Sequence, residues 1–232
     1  SDMSRQNLKQ QIYSQVARIG KVVGHGHRLE LLEYLAQGER TVEALVKLTG
    51  LSVANTSQHL RVMRQSGLVE ARKDGLYVYY SIADDEIVRL LSSMRRLAES
   101  HLADVDRLVR AYLTVKDELE PIPRQELLER ARRGIVTVLD VRPSEEFASG
   151  HVPGAVNVSL KDLEQWLKKL PHNQEIVAYC RGPHCVLAFE AVAKLREMGF
   201  QARRLEDGFP EWREAGLPVE KSVVTESRNS KG

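Results

Sequence analysis

The segment 180–185, Cys-Arg-Gly-Pro-His-Cys, holds both cysteines of the 232-residue chain. It follows an apolar run at 176–179 that predicts a strand, and it precedes a helical pattern at 186–198. A strand, a short loop and a helix start form a cradle for anions, because the loop amides and the helix N-terminus carry partial positive charge. That field favours the thiolate of Cys180, which is the nucleophilic form. We therefore predict a reactive cysteine at Cys180.

The elements that position this loop are strands and helices in alternation. A polar stretch with two prolines, 117–123, predicts a linker, and the pattern beyond it changes. Helices are predicted at 124–133, 161–170 and 186–198, and strands at 135–141, 155–158, 176–180 and 202–205. This alternation is typical of an α/β domain with a parallel sheet and flanking helices, here spanning 124–220. The polar tail 221–232 is expected to be disordered.

The first half of the chain, 4–116, predicts a mainly α-helical domain. Apolar periodicity and capping residues predict helices at 5–19, 27–36, 42–48 and 52–65. Two strands, 68–72 and 76–82, then flank an Asp-Gly turn at Asp74 and Gly75. A helix-turn-helix followed by a basic hairpin is typical of a winged DNA-binding domain.

An apolar seam after the hairpin predicts a dimer. Its positions alternate in steps of four and three: Ile87, Leu91, Met94, Ala98, His101, Val105, Leu108 and Tyr112. One long helix with such a seam would pack against its own copy. A homodimer would then require a two-fold related operator on double-stranded DNA.

Polar side chains on the helix at 52–65 are candidates for DNA contact. Val53, Thr56, Leu60 and Met63 share one face and are expected to pack inward. The candidate DNA-binding residues point elsewhere or lie on the hairpin: Asn55, Ser57, Gln58, His59, Arg61, Arg72 and Lys73. Amide and guanidinium groups at the start of such a helix suit hydrogen bonds to base edges. A merely solvated face is the alternative.

Charge and hydropathy are consistent with this assignment. The net charge is only +2, and residues 119–232 hold 17 basic and 17 acidic residues, so phosphate attraction belongs to the first half. No apolar run approaches the roughly 20 residues that span a bilayer. Without a secretory leader either, we expect a cytoplasmic protein with no membrane partner. We also expect no cofactor.

Two family resemblances account for these patterns. The first domain resembles the ArsR family of dimeric winged-helix repressors, and the second resembles rhodanese (sulfurtransferase) domains. The first resemblance is carried by 26–32, 51–52, 57–60, 67–69 and the hairpin residues Gly75, Tyr79 and Tyr80. The second is carried by 139–142, 146–147, 150–157, the cysteine loop, 207–209, Trp212 and 216–219. Together they imply a regulator of transcription fused to a sulfur-handling domain.

The rhodanese resemblance implies sulfur chemistry at Cys180, Arg181 and His184. Cys185 is a fourth candidate catalytic residue, although rhodanese loops often carry a basic or hydroxyl residue in this last position. Cys180 would attack the outer sulfur of a polysulfide, persulfide or thiosulfate and hold it as a persulfide, with Arg181 and His184 stabilising the donor. Cys185 has two interpretations. Either it attacks the persulfide and leaves a Cys180–Cys185 disulfide, or it begins the helix and only packs. Asp140, Arg142 and Glu146 are interpreted as structural residues.

The departures from the ArsR pattern argue against a metal site in the first domain. The short helix at 42–48 has no cysteine pair, and His101 on the seam has no second histidine at ligand spacing. We therefore predict a dimeric repressor whose rhodanese domain senses reactive sulfur. The alternatives are a sulfurtransferase enzyme tethered to DNA, and a regulator that binds arsenic or a thiophilic metal through Cys180, Cys185 and His184.

Overall fold

A computed structural model describes residues 2–114, 120–170 and 172–222 of the chain. It divides into two compact units, Ser1–Leu91 and Ser92–Gly232. This division falls within a helix, Glu86–His101. The predicted linker 117–123 lies partly outside the described residues, as does most of the tail 221–232. Within the described ranges, every helix is too short or too polar to cross a lipid bilayer.

The first unit is a helical domain with one hairpin. Its elements are α1 (Asp2–Val23), α2 (Gly26–Gln37), α3 (Val42–Thr49), α4 (Val53–Gln65), β1 (Val69–Asp74), β2 (Tyr77–Ile82) and the start of α5 (Glu86–His101). Both predicted caps are present: the Thr41 hydroxyl accepts from the Ala44 amide at 3.2 Å, and the Ser52 hydroxyl accepts from the Asn55 amide at 3.1 Å. The hairpin closes on the pair Asp74 and Tyr77, with Gly75 at φ 58° in the turn.

The core of this unit comes from one face of each helix. The fully buried side chains include Leu31 and Leu32 of α2, Leu45 of α3, and Leu60 and Met63 of α4. The prediction that Val53 also packs inward is wrong, because Val53 is 56% exposed. It is the first residue of α4, where no preceding turn supports a side chain against the core.

The predicted single long helix is interrupted. α5 ends at His101, Leu102 has extended backbone angles (φ −104°, ψ 106°), and α6 (Ala103–Val109) follows, then a π-helical turn (Arg110–Thr114). Two acidic residues, Asp104 and Asp106, occupy the first turn of α6, where negative charge stabilises a new helix N-terminus. An apolar seam therefore did not guarantee a continuous helix.

The second unit contains a four-stranded parallel sheet with helices on both faces. Its elements after α6 are α7 (Arg124–Arg132), β3 (Val136–Asp140), α8 (Ser144–Ser149), β4 (Val156–Asn157), α9 (Leu163–Leu167), β5 (Glu175–Tyr179), α10 (Val186–Glu197), β6 (Ala202–Arg204) and α11 (Phe209–Glu214). The strand order is β4-β3-β5-β6, and every pair is parallel. The predicted fold class, a winged helix-turn-helix followed by an α/β rhodanese-like domain, is confirmed.

Residues of β5 alternate between the two faces of this sheet. Ile176, Ala178 and Cys180 pack in the cluster that contains α9 and α10 side chains, whereas Val177 and Tyr179 pack in the cluster that contains Trp212. The alternation places Cys180 at the carboxyl end of a central strand. Loops after the carboxyl ends of parallel strands form the usual site of chemistry in such sheets.

Candidate functional site

The two cysteines of the loop are joined by a disulfide. Their Cα atoms lie 6.1 Å apart, and Cys180 is 1% exposed at the end of β5. Cys185 is half-buried at the N-cap position of α10. The loop is held closed by a hydrogen bond of 3.1 Å from the Cys185 amide to the Gly182 carbonyl. The geometry therefore brings the two predicted thiols within bonding reach.

The guanidinium of Arg181 is directed at a buried carboxylate. Its Nε donates to both oxygens of Glu146, at 2.9 and 3.1 Å, and its Nη2 lies 2.8 Å from Oε1. The Glu146 side chain is 1% exposed and that of Arg181 is 14% exposed. A paired arginine of this kind fixes the loop against α8 and has its charge balanced on site.

His184 also contacts a carboxylate. Its Nε2 lies 3.1 Å from Oε1 of Glu99, on the second half of α5. Burial lowers the pKa of His184 below the ordinary histidine value, and the neighbouring Glu99 only partly opposes this effect, while Arg95 and Arg204 lower the pKa further. His184 is therefore neutral at neutral pH.

Gly208 lies directly against the cysteine loop. A Cβ atom at this position would overlap the backbone of Arg181 and Gly182. The next residue, Phe209, donates its amide to the Cys180 carbonyl at 3.1 Å. The loop conformation thus depends on a backbone approach that any side chain at Gly208 would prevent.

We expect Gly208→Ala to displace the cysteine loop. The added methyl meets backbone atoms, which cannot rotate away as a flexible side chain can. Disulfide formation in the variant should be at least several-fold slower than in the wild type, measured as the loss of free thiol after a pulse of oxidant. Gly20→Ala is the control, since Gly20 lies within helix α1 and an added Cβ there has open space around it. Equal rates in Gly208→Ala and wild type would show that the loop tolerates the methyl group.

A fully buried ion pair supports the loop from β3. Both side chains of Asp140 and Arg142 are 0% exposed, and Arg142 Nη2 donates to Asp140 Oδ2 at 2.7 Å and to the Gly150 carbonyl at 2.7 Å. The Tyr179 hydroxyl donates to the same carboxylate at 2.6 Å. Burial, first of all, and the charge of Asp140 raise the pKa of Tyr179, so the hydroxyl keeps its proton. Asp140, Arg142 and Tyr179 thus form one buried network at the carboxyl ends of β3 and β5, which supports the structural role expected of Asp140 and Arg142.

The candidate DNA-contacting face on α4 is open to solvent. Asn55, Ser57, Gln58 and Arg61 are exposed, and Ser57 and Arg61 line a groove of about 540 Å³ together with Arg64, Gln65 and Tyr80. Arg64 and Gln65, which also line this groove, are not among the predicted site residues. They lie one turn beyond Arg61, so a longer count along the same helix face would have included them.

His59 lies apart from that face. It is 9% exposed, and its ring centroid is 4.7 Å from that of His25 and 5.9 Å from that of His27. Burial lowers its pKa, and His25, Arg28 and His27 lower it further, so the ring is neutral. The start of α2 covers this flank of α4, a tertiary contact that helical periodicity alone does not predict.

The two basic residues of the hairpin are exposed. Arg72 forms a 2.6 Å pair with Glu39 and a 3.2 Å pair with Asp74, and its hydrogen bonds, that with Glu39 first, raise its pKa. Lys73 is exposed beside it. Because exposed pairs are screened by water and salt, a phosphate can replace the carboxylates of Arg72.

The described parts of the chain contain no group of three or more His, Cys, Asp and Glu side chains placed to hold a metal ion. The three neighbouring histidines, His25, His27 and His59, therefore do not form such a group. His184, the third ligand in the arsenic-binding hypothesis, has its Nε2 engaged with Glu99.

Comparisons with known proteins match two separate parts of the chain. Residues 25–71 match the model of the bacterial regulatory protein arsR family, and residues 123–215 match that of the rhodanese-like domain. The HTH-type transcriptional regulator Rv0324 of Mycobacterium tuberculosis is 45% identical over 93% of this chain and 94% of its own length.

Two further relatives match the first unit. A probable mercury resistance operon repressor of Streptomyces lividans is 34% identical over 39% of this chain and 72% of its own length. The homodimeric winged helix-turn-helix DNA-binding domain Mb0332 of Mycobacterium bovis is 42% identical, with a TM-score of 0.39, over 41% of this chain and 89% of that domain. On the near full-length match and the two family models, the chain belongs to the ArsR family of transcriptional regulators and carries a C-terminal rhodanese domain.

Proposed function

We propose that this regulator is a cytoplasmic, homodimeric repressor whose affinity for operator DNA changes when Cys180 reacts with a reactive sulfur species. The observation that carries the proposal is the pair Cys180 and Cys185, within disulfide reach in a loop at the carboxyl end of β5. A transcriptional regulator gains a chemical input if such a pair alternates between dithiol and disulfide.

The proposed chemistry balances in three steps. The Cys180 thiolate attacks a sulfane sulfur, the sulfur–sulfur bond of the donor breaks, and Cys180 becomes a persulfide. The Cys185 thiolate then attacks the Sγ of Cys180, hydrosulfide leaves, and the disulfide remains. The sulfane sulfur is reduced by two electrons and the two cysteines are oxidised by two. A thiol reductant, itself oxidised to a disulfide, restores both thiols.

Exposed apolar side chains support the dimer. On α1, four apolar residues spaced along the helix are more than half exposed: Leu8, Ile12, Tyr13 and Val16. Single exposed apolar residues are ordinary, but a row of four on one helix indicates a face that another chain covers. A two-fold dimer would present two copies of α4 to successive half-sites.

We expect Gln58→Ala and Arg61→Ala to weaken operator binding in different ways. Loss of an amide that reads a base should cost about 1–3 kcal/mol and relax base preference at one position. Loss of a guanidinium that contacts phosphate should weaken all sequences alike and lower the salt slope by about one. Fluorescence anisotropy with operator and scrambled duplexes, at several salt concentrations, measures both. Arg132→Ala, an exposed arginine on α7, is the control. Wild-type binding by both variants would remove α4 from the interface.

The central experiment pairs intact mass with DNA mobility. Reduced protein is treated with a polysulfide, and the same sample is analysed by mass spectrometry and by mobility shift on its own promoter. A sulfur adduct or a disulfide that appears together with changed DNA binding supports the proposal. Modification with unchanged binding contradicts it.

The rhodanese match supports an enzyme as the second candidate function. In that case Cys180 would pass its sulfur to an external acceptor over many turnovers. In the presence of an acceptor and without added reductant, release of the donor's leaving group (sulfite from thiosulfate, or the thiol from a persulfide) in excess of the amount of protein would favour the enzyme. Release limited to one equivalent would favour the sensor.

A further inference from the structure

Two carboxylates, those of Glu146 and Glu99, contact side chains of the cysteine loop. We propose that Glu146, by neutralising Arg181, makes the loop selective for sulfane donors of low charge, such as hydrogen disulfide, and against the dianion thiosulfate. This inference rests on the proposed sulfur chemistry of Cys180 and specifies its substrate class.

The arginine of the loop, Arg181, is already paired with a carboxylate. Arg181 is the only lysine or arginine within 180–185, and its guanidinium contacts both oxygens of the buried Glu146. A buried carboxylate held by an arginine cannot release it without leaving its own charge unpaired in a low-dielectric site. Arg181 therefore brings no net positive charge to an incoming anion.

His184 is the other residue of the loop that would stabilise an anionic donor. Its Nε2 is directed at Glu99 and its ring is neutral at neutral pH. Pro183, between these residues, has no amide proton to donate. The loop thus lacks the mobile cation that a doubly charged ligand needs.

The wider surroundings are also balanced. Three arginines lie at or near the loop, and three carboxylates accompany them: Arg95, Arg181, Arg204, Glu99, Glu146 and Glu211. Two of these arginines have a carboxylate within 3.1 Å, Arg181 from Glu146 and Arg95 from Glu211, and these carboxylates offset their charge. Association with a dianion gains from a positive field and loses where none is present, whereas a donor of single charge is affected less.

Both donors give the same persulfide. With hydrogen disulfide, the Cys180 thiolate forms a bond to one sulfur, the sulfur–sulfur bond breaks and hydrosulfide leaves. With thiosulfate, the thiolate bonds to the outer sulfur and sulfite leaves with the electron pair. Selectivity therefore resides in the approach of the donor, not in the product.

The test compares rates of modification of reduced protein by sodium thiosulfate and by hydrogen disulfide, followed by intact mass. Wild type should react with thiosulfate at least about tenfold more slowly than with hydrogen disulfide. Glu146→Gln should raise the thiosulfate rate by about tenfold and change the hydrogen disulfide rate little, because it frees the charge of Arg181. Glu99→Gln, at a half-exposed site, should shift the ratio in the same direction and covers the case in which Glu146→Gln fails to fold.

Glu145→Gln is the matched control, since it removes the same charge from an exposed position on the same helix. It should leave the ratio of rates unchanged. Equal wild-type rates with the two donors, or ratios unaltered by both Glu146→Gln and Glu99→Gln, overturn this inference and leave the sulfur sensor intact. Failure of Cys180 to accept sulfur from either donor overturns both.

Discussion

Cys180→Ser should bind operator DNA with wild-type affinity and lose all response to a polysulfide. Without the thiolate there is no nucleophile at the end of β5, and Cys185 has no partner with which to form the intramolecular disulfide. In the wild type, we expect a change in DNA affinity of about a hundredfold, which corresponds to about 2.7 kcal/mol of coupling. Anisotropy titrations before and after polysulfide treatment measure both proteins.

Cys185→Ser separates the two possible signalling forms. It can hold the persulfide on Cys180 but cannot convert it to the disulfide, so its mass should rise by one sulfur atom and stay there. A DNA response in this variant would assign the signal to the persulfide, and its absence would assign it to the disulfide. If Cys180→Ser still responded to polysulfide, the loop would not be the sensor.

Arg142→Met should destabilise the second unit by about 3–5 kcal/mol, because it leaves the fully buried carboxylate of Asp140 without its cation. The lost bond to the Gly150 carbonyl adds to the effect. Urea unfolding followed by tryptophan fluorescence reports this unit, since both tryptophans, Trp166 and Trp212, belong to it.

Two variants control for this result. Lys194→Met removes a cation from the solvent-accessible pair of the half-buried Lys194 with the exposed Glu164 in the same unit, and it should cost about 1 kcal/mol or less. The double variant Asp140→Asn with Arg142→Met removes both buried charges and should recover part of the lost stability. If Arg142→Met and Lys194→Met proved equally stable, the buried pair would not hold the β3 end of the sheet.

Most helices, strands and turns of the fold can be predicted from the sequence because they depend on residues close together in the chain. The caps at Thr41 and Ser52 and the turn at Gly75 involve residues close together in the chain, and the structure places each of them as predicted. The break at Leu102 was missed, since the apolar seam continues through it and only the acidic residues beyond it indicate a new helix start.

The residues that surround the site are harder to predict from the sequence because they are distant from the loop along the chain. Glu99 precedes His184 by 85 positions and Glu146 precedes Arg181 by 35, so no spacing rule connects them. His59 is a candidate for DNA contact from its position on the flank of α4, but the imidazoles of His25 and His27 pack against it. The sequence therefore indicates the loop residues as site candidates, but not the carboxylates that pair with Arg181 and His184.

The contacts of Glu211 determine where the chain can be divided for engineering. This buried carboxylate lies 3.1 Å from Arg95 of α5, and its Oε2 has no hydrogen-bond partner among the described residues. A fragment that began at residue 123, where the match to the rhodanese-like domain starts, would retain the carboxylate and discard both its arginine and the Glu99 partner of His184. A transplantable rhodanese module must therefore retain Arg95 and Glu99, and a chimaera joined at the two prolines would lose both.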